Sequence, residues 1–442
     1  MANEVPKIQI LEKADYFRQT LLPLPAAIPY PPLAPSSVRL RSSVIGLTIN
    51  NFTYAALGTL RSWWDVHPLP ASAPAPYTDA AKYGRISAWG YAEVLESTVP
   101  YVAKGSFVWG YLPLGTLAQD LEVAPHPDPA VADRQFFVTN GYRQHVMALY
   151  NRYFVAPPSV SIASSIARKT PSAAVANDVV LRVMHATAFL MSEFVFGADA
   201  SRVVTPGEDE GEAWGARDAD LDDATVLVFA PGSKAAALFA LILRSRPAGA
   251  GRPRRIVGAS SEASRPFVEG TAAYDSVVLT SSADPVAALG LDGAALGRRL
   301  VVFDFGGRAG VAPRWAAALA QAQAHDDDDD ADKFLFVGVG AAVIDPAAAN
   351  AMTAAAAAGK QPPAPPYRST RVNADDMRRR AMARVGEERY WADEDKSWDA
   401  FREEGIKGLD YTWGEGMEDV VDAWDRMARG EVLPSEGLVF RL

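Results

Sequence analysis

Residues 224–245 read ATVLVFAPGSKAAALFALILRS and carry the pattern that decides the fold. A short apolar run enters a Pro-Gly turn, and apolar residues at helical spacing follow, which predicts a buried strand, a tight turn and a helix. Against the pattern Gly-x-Gly-x-x-Gly/Ala, the middle glycine is Gly232, Ala235 ends the pattern, and Ala230 replaces the first glycine. Gly232 predicts a pyrophosphate site, because a residue without a side chain lets the backbone approach that group at a helix N-terminus.

The same turn also carries Ser233 and Lys234. They place a hydroxyl and an ammonium group where the phosphate would lie. A plain connection between a strand and a helix has the same pattern, so this motif alone leaves both interpretations open.

The second strand of the unit is predicted in residues 254–265, which read RRIVGASSEASR. An Asp or Glu at the end of this strand would bond the ribose 2′-hydroxyl of NAD, whereas small polar or basic groups suit the 2′-phosphate of NADP. Ser260, Ser261 and Arg265 occupy this region, with Glu262 as the opposing charge. The sequence therefore favours NADP(H), while Arg265 taken singly is equally typical of a solvated helix residue.

Two kinds of pattern divide the chain. Up to about residue 175, runs such as SSVIGLTI and SFVWGYLPLG alternate with Pro and Gly, which indicates a β-rich domain. From Ala224 onward, apolar runs alternate with helical patterns, which predicts an α/β fold with a doubly wound parallel sheet. We expect an acidic surface insertion at residues 205–223 and a low-complexity linker at residues 345–366.

Composition excludes several classes of function. The chain has 442 residues, enough for two domains, and it lacks cysteine, which rules out disulfides and thiolate metal sites. Its five histidines form no metal-ligand pair, so no metal is expected. The net charge of −10 opposes binding to nucleic acid or an anionic membrane. With neither a signal peptide nor a membrane span in the pattern, we expect a soluble, cytoplasmic protein.

Two further stretches extend the pattern: GYAEVLESTVPYVAKGSFVWGYLPLGTLAQDLEV at residues 90–123 and MEDVVDAWDRMARGEVLPSEGLVFRL at residues 417–442. The first resembles the segment that builds the GroES-like barrel of the medium-chain dehydrogenase/reductase superfamily, and the second resembles its C-terminal helix and final strand. The likeness is to the zinc-free quinone and enoyl reductases of that superfamily. It implies a GroES-like catalytic domain at 1–177 and 405–442, a Rossmann domain at 178–404, and a homodimer.

Within the superfamily, three segments are most similar to a bacterial and fungal group known as a domain of unknown function. They are Asn50-Asn51-Phe52-Thr53-Tyr54-Ala55, Gly232-Ser233-Lys234-Ala235-Ala236, and Phe267-Val268-Glu269 followed by Tyr274-Asp275. The chain departs from the group at Pro231-Gly232, where small hydroxyl residues are more usual.

The resemblance implies the site residues. Tyr54, with Asn51 and Thr53 beside it, is expected as the acid or anchor for the substrate, although a strand aromatic with its hydroxyl at the surface fits equally. Thr187 is expected beside the nicotinamide, and His185 as a packing residue. The expected cofactor site consists of Gly232, Ser233, Lys234, Ala235, Ser260, Ser261, Arg265 and Thr187.

The favoured function is an NADPH-dependent, zinc-free reductase of an activated C=C or C=O bond in a small apolar, aromatic or polyketide-like substrate. Two alternatives remain: a degenerate scaffold that performs hydrolysis or C–C cleavage, and a protein that only binds. Neither a Gly-x-Ser-x-Gly elbow nor a Tyr-x-x-x-Lys pair is present, since Tyr101 and Lys104 are one residue too close.

Overall fold

The computed structural model describes residues 5–25, 30–157, 162, 171–207, 214–291, 298–307, 310–324, 333–340, 345–359 and 364–442. The chain divides into two compact units. The first comprises Met1–Val180, Ile344–Gln361 and Asp410–Leu442, and the second comprises Leu181–Val343 and Pro362–Leu409.

The regular elements are numbered along the chain. The strands are β1 (Lys7–Glu12), β2 (Asp15–Pro23), β3 (Ser37–Leu47), β4 (Tyr83–Gly84), β5 (Ser87–Ser97), β6 (Phe107–Pro113), β7 (Gln119–Pro125), β8 (Gln135–Val138), β9 (Arg152–Val155), β10 (Thr225–Phe229), β11 (Arg255–Ser260), β12 (Ser276–Leu279), β13 (Leu300–Asp304), β14 (Phe334–Gly338), β15 (Ser369–Arg371), β16 (Asp410–Glu415) and β17 (Glu436–Arg441). The α-helices are α1 (Asn50–Ala56), α2 (Ala173–Val180), α3 (Arg182–Leu190), α4 (Ala216–Ala219), α5 (Lys234–Ser245), α6 (Arg265–Gly270), α7 (Pro285–Leu289), α8 (Val311–Gln323), α9 (Pro346–Ala357), α10 (Ala374–Val385), α11 (Glu387–Arg402) and α12 (Gly416–Ala428).

A closed barrel forms the centre of the first unit. Its strands follow the order β3-β5-β6-β9-β8-β7, and β7 pairs with β3 to close the ring. The barrel is filled by aliphatic side chains together with Phe136 and Tyr153. The C-terminal strand β17 pairs antiparallel with β3 rather than with the parallel sheet, which confirms the expected return of the chain end to the barrel.

The second unit contains a parallel sheet in the order β12-β11-β10-β13-β14-β15. The chain starts in the middle with β10, moves outward on one side, and then returns to continue on the other side, so the order reverses between β10 and β13. Ligands of such sheets bind beside this reversal, outside the carboxyl ends of the strands. The doubly wound layout predicted from the sequence is therefore confirmed.

The alanine-rich segment corrects one expectation. The expected linker at 345–366 contains α9, which lies in the first unit. The Asp345 side chain caps α9 by accepting a hydrogen bond from the Ala348 backbone amide at 2.8 Å, and Asn350 donates to the carbonyl of Ala14. Alanine is the strongest helix former, so a low-complexity run becomes a helix once a cap starts it.

The acidic segment at 205–223 also differs from a purely solvated insertion. Asp218 is buried, accepts a hydrogen bond from the Gly215 backbone amide, and pairs with Arg368 at 2.7 Å. Residues 208–213 of this segment lie outside the described residues, as do His325 and the aspartate run 326–330.

Among the described residues, no single helix has the length and apolar composition needed to cross a membrane. Only α2 taken together with residues Arg182–Val195, with a bend between them, passes that test.

Candidate nucleotide site and buried aromatic site

The turn after β10 has the geometry of a phosphate-binding loop. Ala230 adopts φ = 52°, the left-handed conformation that glycine holds without strain, so it performs the conformational role of the missing first glycine. The Ser233 side chain caps α5 by accepting from the Ala236 backbone amide at 3.3 Å, and Lys234 opens the helix. With twelve residues, α5 presents a positive dipole end and unpaired amides to an anion at this turn.

A buried tyrosine supports this turn from below, and sequence reasoning gave it no role. Tyr274 donates its hydroxyl hydrogen to the Pro231 carbonyl at 2.9 Å. A Cβ added at Gly258 in β11 would lie 3.1 Å from the Pro231 Cβ, so this strand passes directly beneath the turn. The Tyr-Asp pair noted in the sequence therefore acts structurally, and Asp275 accepts from the Ile256 amide at 2.8 Å.

The end of β11 brings the expected 2′-phosphate residues together. The hydroxyl of buried Ser260 donates to the Ser261 carbonyl at 3.1 Å, and the Ser261 and Ser264 hydroxyls lie 3.1 Å apart. Arg265 pairs with Glu269 one turn along α6 at 2.7 Å, and both side chains are about half exposed. Such an exposed pair contributes less than about 1 kcal/mol, so Arg265 can exchange Glu269 for a phosphate at small cost.

The far side of the strand reversal supplies glycines that the sequence reasoning missed. The Asp304 carboxylate at the end of β13 accepts from the backbone amides of Gly306 and Gly307 at 3.0 and 3.3 Å. Gly306 has φ = 97°, and a Cβ at Gly307 would lie 3.7 Å from that of Ala230. A Gly-Gly pair directly after a buried strand was the available signal.

Helix α3 holds Thr187 and His185 in the second unit. The half-buried Thr187 hydroxyl donates to the Val183 carbonyl of its own helix at 3.4 Å. His185 is buried, its Nε2 lies 3.2 Å from the Ser397 Oγ, and its ring stacks on Phe401. Burial, with a smaller effect of Arg182, lowers the pKa of His185 to about 4, so the ring is neutral at physiological pH.

The proposed substrate residues lie in the first unit on α1. This segment is a helix, whereas the alternative interpretation of Tyr54 placed it on a strand. Tyr54 is only 3% exposed, and its oxygen accepts from the Trp89 indole nitrogen at 2.8 Å. Both ends of the Asn51 side chain are hydrogen-bonded within the protein: its carbonyl oxygen accepts from the Thr48 amide, and its amide group donates to the Ser87 carbonyl. Thr53 is half buried.

The surroundings of Tyr54 are aromatic. Its ring meets those of Trp63, Tyr111 and Tyr150 edge to face at 5.0, 5.1 and 6.0 Å. Burial raises the pKa of Tyr54 well above its usual value, and hydrogen bonds from Trp89, Tyr150 and Asn50 act against that rise. The hydroxyl is therefore protonated at neutral pH and is a polar group among aromatic rings.

In the part of the chain that the structure describes, no three His, Asp or Glu side chains converge in a group able to hold a metal ion.

A closed barrel with a doubly wound sheet in the order 3-2-1-4-5-6 defines the medium-chain dehydrogenase/reductase fold, which the sequence resemblance implied. The chain belongs to the family described as protein of unknown function DUF2855, whose model matches residues 45–433. This match confirms the likeness to a group of unknown function. No curated protein matches the sequence.

Solved structures share the fold at low sequence identity. They include the 2-enoyl thioester reductase Etr1p of Candida tropicalis with NADP and crotonyl-CoA (10% identity, TM-score 0.54, covering 99% of this chain and 100% of that one). A mycobacterial protein complexed with NADPH is 13% identical, with TM-score 0.51 and coverage of 99% and 100%. A putative NADPH:quinone reductase from Bacillus thuringiensis is 12% identical, with TM-score 0.52 and coverage of 99% for both chains.

Proposed function

We propose that this protein is an NADPH-dependent, zinc-free reductase that acts on an activated C=C or C=O bond of a small apolar or aromatic substrate. The observation that carries the proposal is the turn at residues 230–235, which lies at the reversal of strand order and ends in the capped N-terminus of α5. Solved structures of this fold hold NADP or NADPH, which supports the same cofactor here.

The described residues fit the cofactor. The amides at the start of α5, the Ser233 hydroxyl and the Lys234 ammonium would hold the pyrophosphate. Ser260, Ser261 and Arg265 would hold the 2′-phosphate at the end of β11. When bound, NADPH would supply the hydride, and one proton from water would complete the reduction, which would leave NADP⁺ and the reduced product.

Tyr54 is proposed to orient the substrate. Because its hydroxyl stays protonated, it can offer a hydrogen bond to a developing negative charge on the acceptor and cannot act as a base at neutral pH. Asn51 then acts as a positioning residue that fixes α1 to β5 through the Ser87 carbonyl. Thr53 is proposed as a further polar contact for the substrate. Thr187 is proposed as a contact for the nicotinamide.

The test measures how two substitutions change the affinity of the protein for NADPH and for NADH. Arg265→Ala should weaken the binding of NADPH by roughly ten- to hundred-fold and leave the binding of NADH nearly unchanged, because only NADPH carries the 2′-phosphate. Lys234→Ala should weaken both, since both contain the pyrophosphate. Arg252→Ala is the matched control: this exposed arginine precedes β11, at the end of the strand opposite to the proposed site. If Arg265→Ala weakened both dinucleotides equally, the arginine would be structural and the preference for NADPH would lose its support.

A second candidate is a protein of the same fold that no longer catalyses hydride transfer, and Ala230 favours it. Its methyl group stands where the nucleotide-binding pattern has a glycine, and it is held at positive φ. The two candidates are separated by NADPH oxidation in the presence of enones, quinones and conjugated acids. Oxidation that depends on the acceptor supports the reductase, and binding without any turnover supports the second candidate.

A further inference from the structure

One edge of the parallel sheet in the second unit is β15, a strand of only three residues. The Arg368 carbonyl accepts from an amide of β14 at 3.0 Å, and the Val372 amide donates to a carbonyl of β14 at 2.9 Å. Because backbone groups alternate sides along a strand, those of residues 369, 371 and 373 face the outer edge. An open edge of this kind can pair with a strand of another molecule.

Residues 203–207, here called the edge strap, lie against that outer edge. The Pro206 carbonyl accepts from the outward-facing Asn373 amide at 2.9 Å. A Cβ added at Gly207 would lie 2.8 Å from the carbonyl oxygen of Arg371, so the two backbones are in contact there. Residue numbers rise along the strap where they fall along β15, so the strap passes the strand in the antiparallel direction.

The strap does not itself offer a new edge for pairing. Pro206 has no amide hydrogen, so it cannot continue a ladder of backbone hydrogen bonds. The carbonyls of its neighbours Thr205 and Gly207 both accept from Nη1 of Arg380 in α10, the first at 3.0 Å. A proline flanked by occupied carbonyls ends the sheet, and natural proteins protect sheet edges by such means.

The strap is also anchored where it begins. Val203 and Val204 are only 7% and 5% exposed, and the Val204 amide donates to the Phe194 carbonyl at 2.7 Å. Arg202, directly before the strap, pairs with Asp393 in α11 at 2.8 Å. Apolar burial and hydrogen bonds at both ends therefore make the strap a packed part of the second unit.

We propose that the edge strap closes the parallel sheet at β15 and thereby prevents two copies of this chain from joining their sheets through that edge. An open β15 would pair most simply with β15 of a second copy across a two-fold axis, which is one route to the homodimer that the family resemblance implies. Here the strap takes the place of the second copy's strand. The proposal concerns the second unit alone and depends on neither the cofactor nor the reaction.

The chain has no cysteine, so a single introduced thiol is a specific reporter of this edge. Ser369→Cys places the thiol at an exposed position of β15. If two full chains joined their sheets at β15, the two thiols would lie within roughly 5–15 Å of each other, and a bismaleimide of that span would link them. Ser369→Cys alone should give no crosslinked dimer at micromolar concentration. Combined with Arg380→Ala, which removes the donor to the strap, it should give one.

Gly207→Ala releases the strap by a different route, because the added Cβ collides with the Arg371 carbonyl. Combined with Ser369→Cys, it should also give the crosslinked dimer, which keeps the test decisive if Arg380→Ala folds poorly. Arg379→Ala is the matched control. This neighbouring residue of α10 is 68% exposed and pairs with Asp376, so its removal should leave the strap in place and give no crosslink.

Hydrogen exchange at the Asn373 amide reports on the strap without any association between chains. The amide should be protected in the unmodified protein and should exchange roughly ten- to hundred-fold faster in Arg380→Ala, because the strap loses hydrogen bonds from a charged donor. Efficient crosslinking of Ser369→Cys alone would overturn the proposal. An unprotected Asn373 amide would also overturn it, as would release variants that fold and still give no crosslinked dimer.

Discussion

The proposed cofactor site depends on individual residues whose roles follow from backbone geometry. Ala230 adopts the conformation of the glycine that it replaces, and Tyr274 holds the following carbonyl in place. The sequence motif predicted where the turn lies. It could not predict how the turn is supported, because Tyr274 is far from Pro231 along the chain and reaches it only through the packing of β11.

Ala230→Gly is expected to stabilise the protein. Relief of the left-handed conformation is worth about 1–2 kcal/mol, and the added freedom of glycine in the unfolded chain returns about 0.4–1 kcal/mol of that. The free energy of unfolding in urea should therefore rise by roughly 0.5–1 kcal/mol. Ala351→Gly, at an exposed position in α9, is the control and should lower it by about 1 kcal/mol. A loss of stability in Ala230→Gly would show that the alanine methyl group makes a needed contact.

Tyr274→Phe should lower the free energy of unfolding by about 1–3 kcal/mol, because the buried Pro231 carbonyl loses its donor. It should also weaken NADPH binding, although Tyr274 is proposed to touch the turn rather than the cofactor. Tyr142→Phe, at a side chain that is 40% exposed, serves as the comparison. Unchanged affinity for NADPH in Tyr274→Phe would mean that the turn keeps its shape without this hydrogen bond.

Two buried arginines, Arg85 and Arg143, show what residue patterns cannot predict. Arg85 precedes β5 and Arg143 follows β8, and the fold buries both side chains. Each alone is typical of a solvated side chain, and only burial without a partner distinguishes them. Tyr54 was proposed from the family resemblance. Its environment, a helix packed among aromatic rings, was not apparent from the segment itself.

Helices and strands were predicted best where the length of an apolar run and the spacing of its apolar residues indicate the same type of element. The parallel strands and α5 follow from apolar runs and helical spacing, whereas α9 was mistaken for a linker, because an alanine-rich run has no amphipathic period to show which face packs. Close contacts between elements could not be predicted in this way, because they depend on particular glycines whose lack of a side chain allows two backbones to approach.

Gly46→Ala tests such a contact between β3 and α2. A Cβ at Gly46 would lie 2.4 Å from the backbone oxygen of Val179, and neither backbone can rotate away as a flexible side chain could. The substitution should lower the free energy of unfolding by about 1–3 kcal/mol or more. Gly270→Ala is the matched control, because an added Cβ there meets nothing within 4 Å. Equal free energies of unfolding for the two variants would show that α2 can shift away from β3 at little cost.

Across the whole molecule, buried histidines make stability depend on pH. Burial lowers the pKa of His185 to about 4, below the ordinary value near 6.5, so in acid the unfolded chain binds a proton that the folded chain does not. The contribution of His185 to the free energy of unfolding is therefore fully present above about pH 6.5 and is lost as the pH is lowered toward 4. The loss is up to about 1.4 kcal/mol per pH unit for each such histidine. His67, whose pKa is also lowered by burial, adds to the slope from the other unit.

The free energy of unfolding, measured in urea at several pH values, should fall by roughly 2 kcal/mol between pH 7 and pH 5 through His185 alone. His185→Gln should flatten the slope by that amount. Ser397→Ala removes the partner of the His185 Nε2 without removing the titrating ring, so its slope should remain. An unchanged slope in His185→Gln would mean that other groups control the acid sensitivity.

The most direct test of the proposed reductase is a titration of the unmodified full chain with NADPH and NADH, followed by tryptophan fluorescence and calorimetry. Saturable binding of both, with NADPH tighter, is the expected result, because the α5 turn serves the pyrophosphate and the end of β11 serves the 2′-phosphate. If neither dinucleotide bound at high micromolar concentration, the reductase proposal would be contradicted, and the fold would have to serve a function other than hydride transfer.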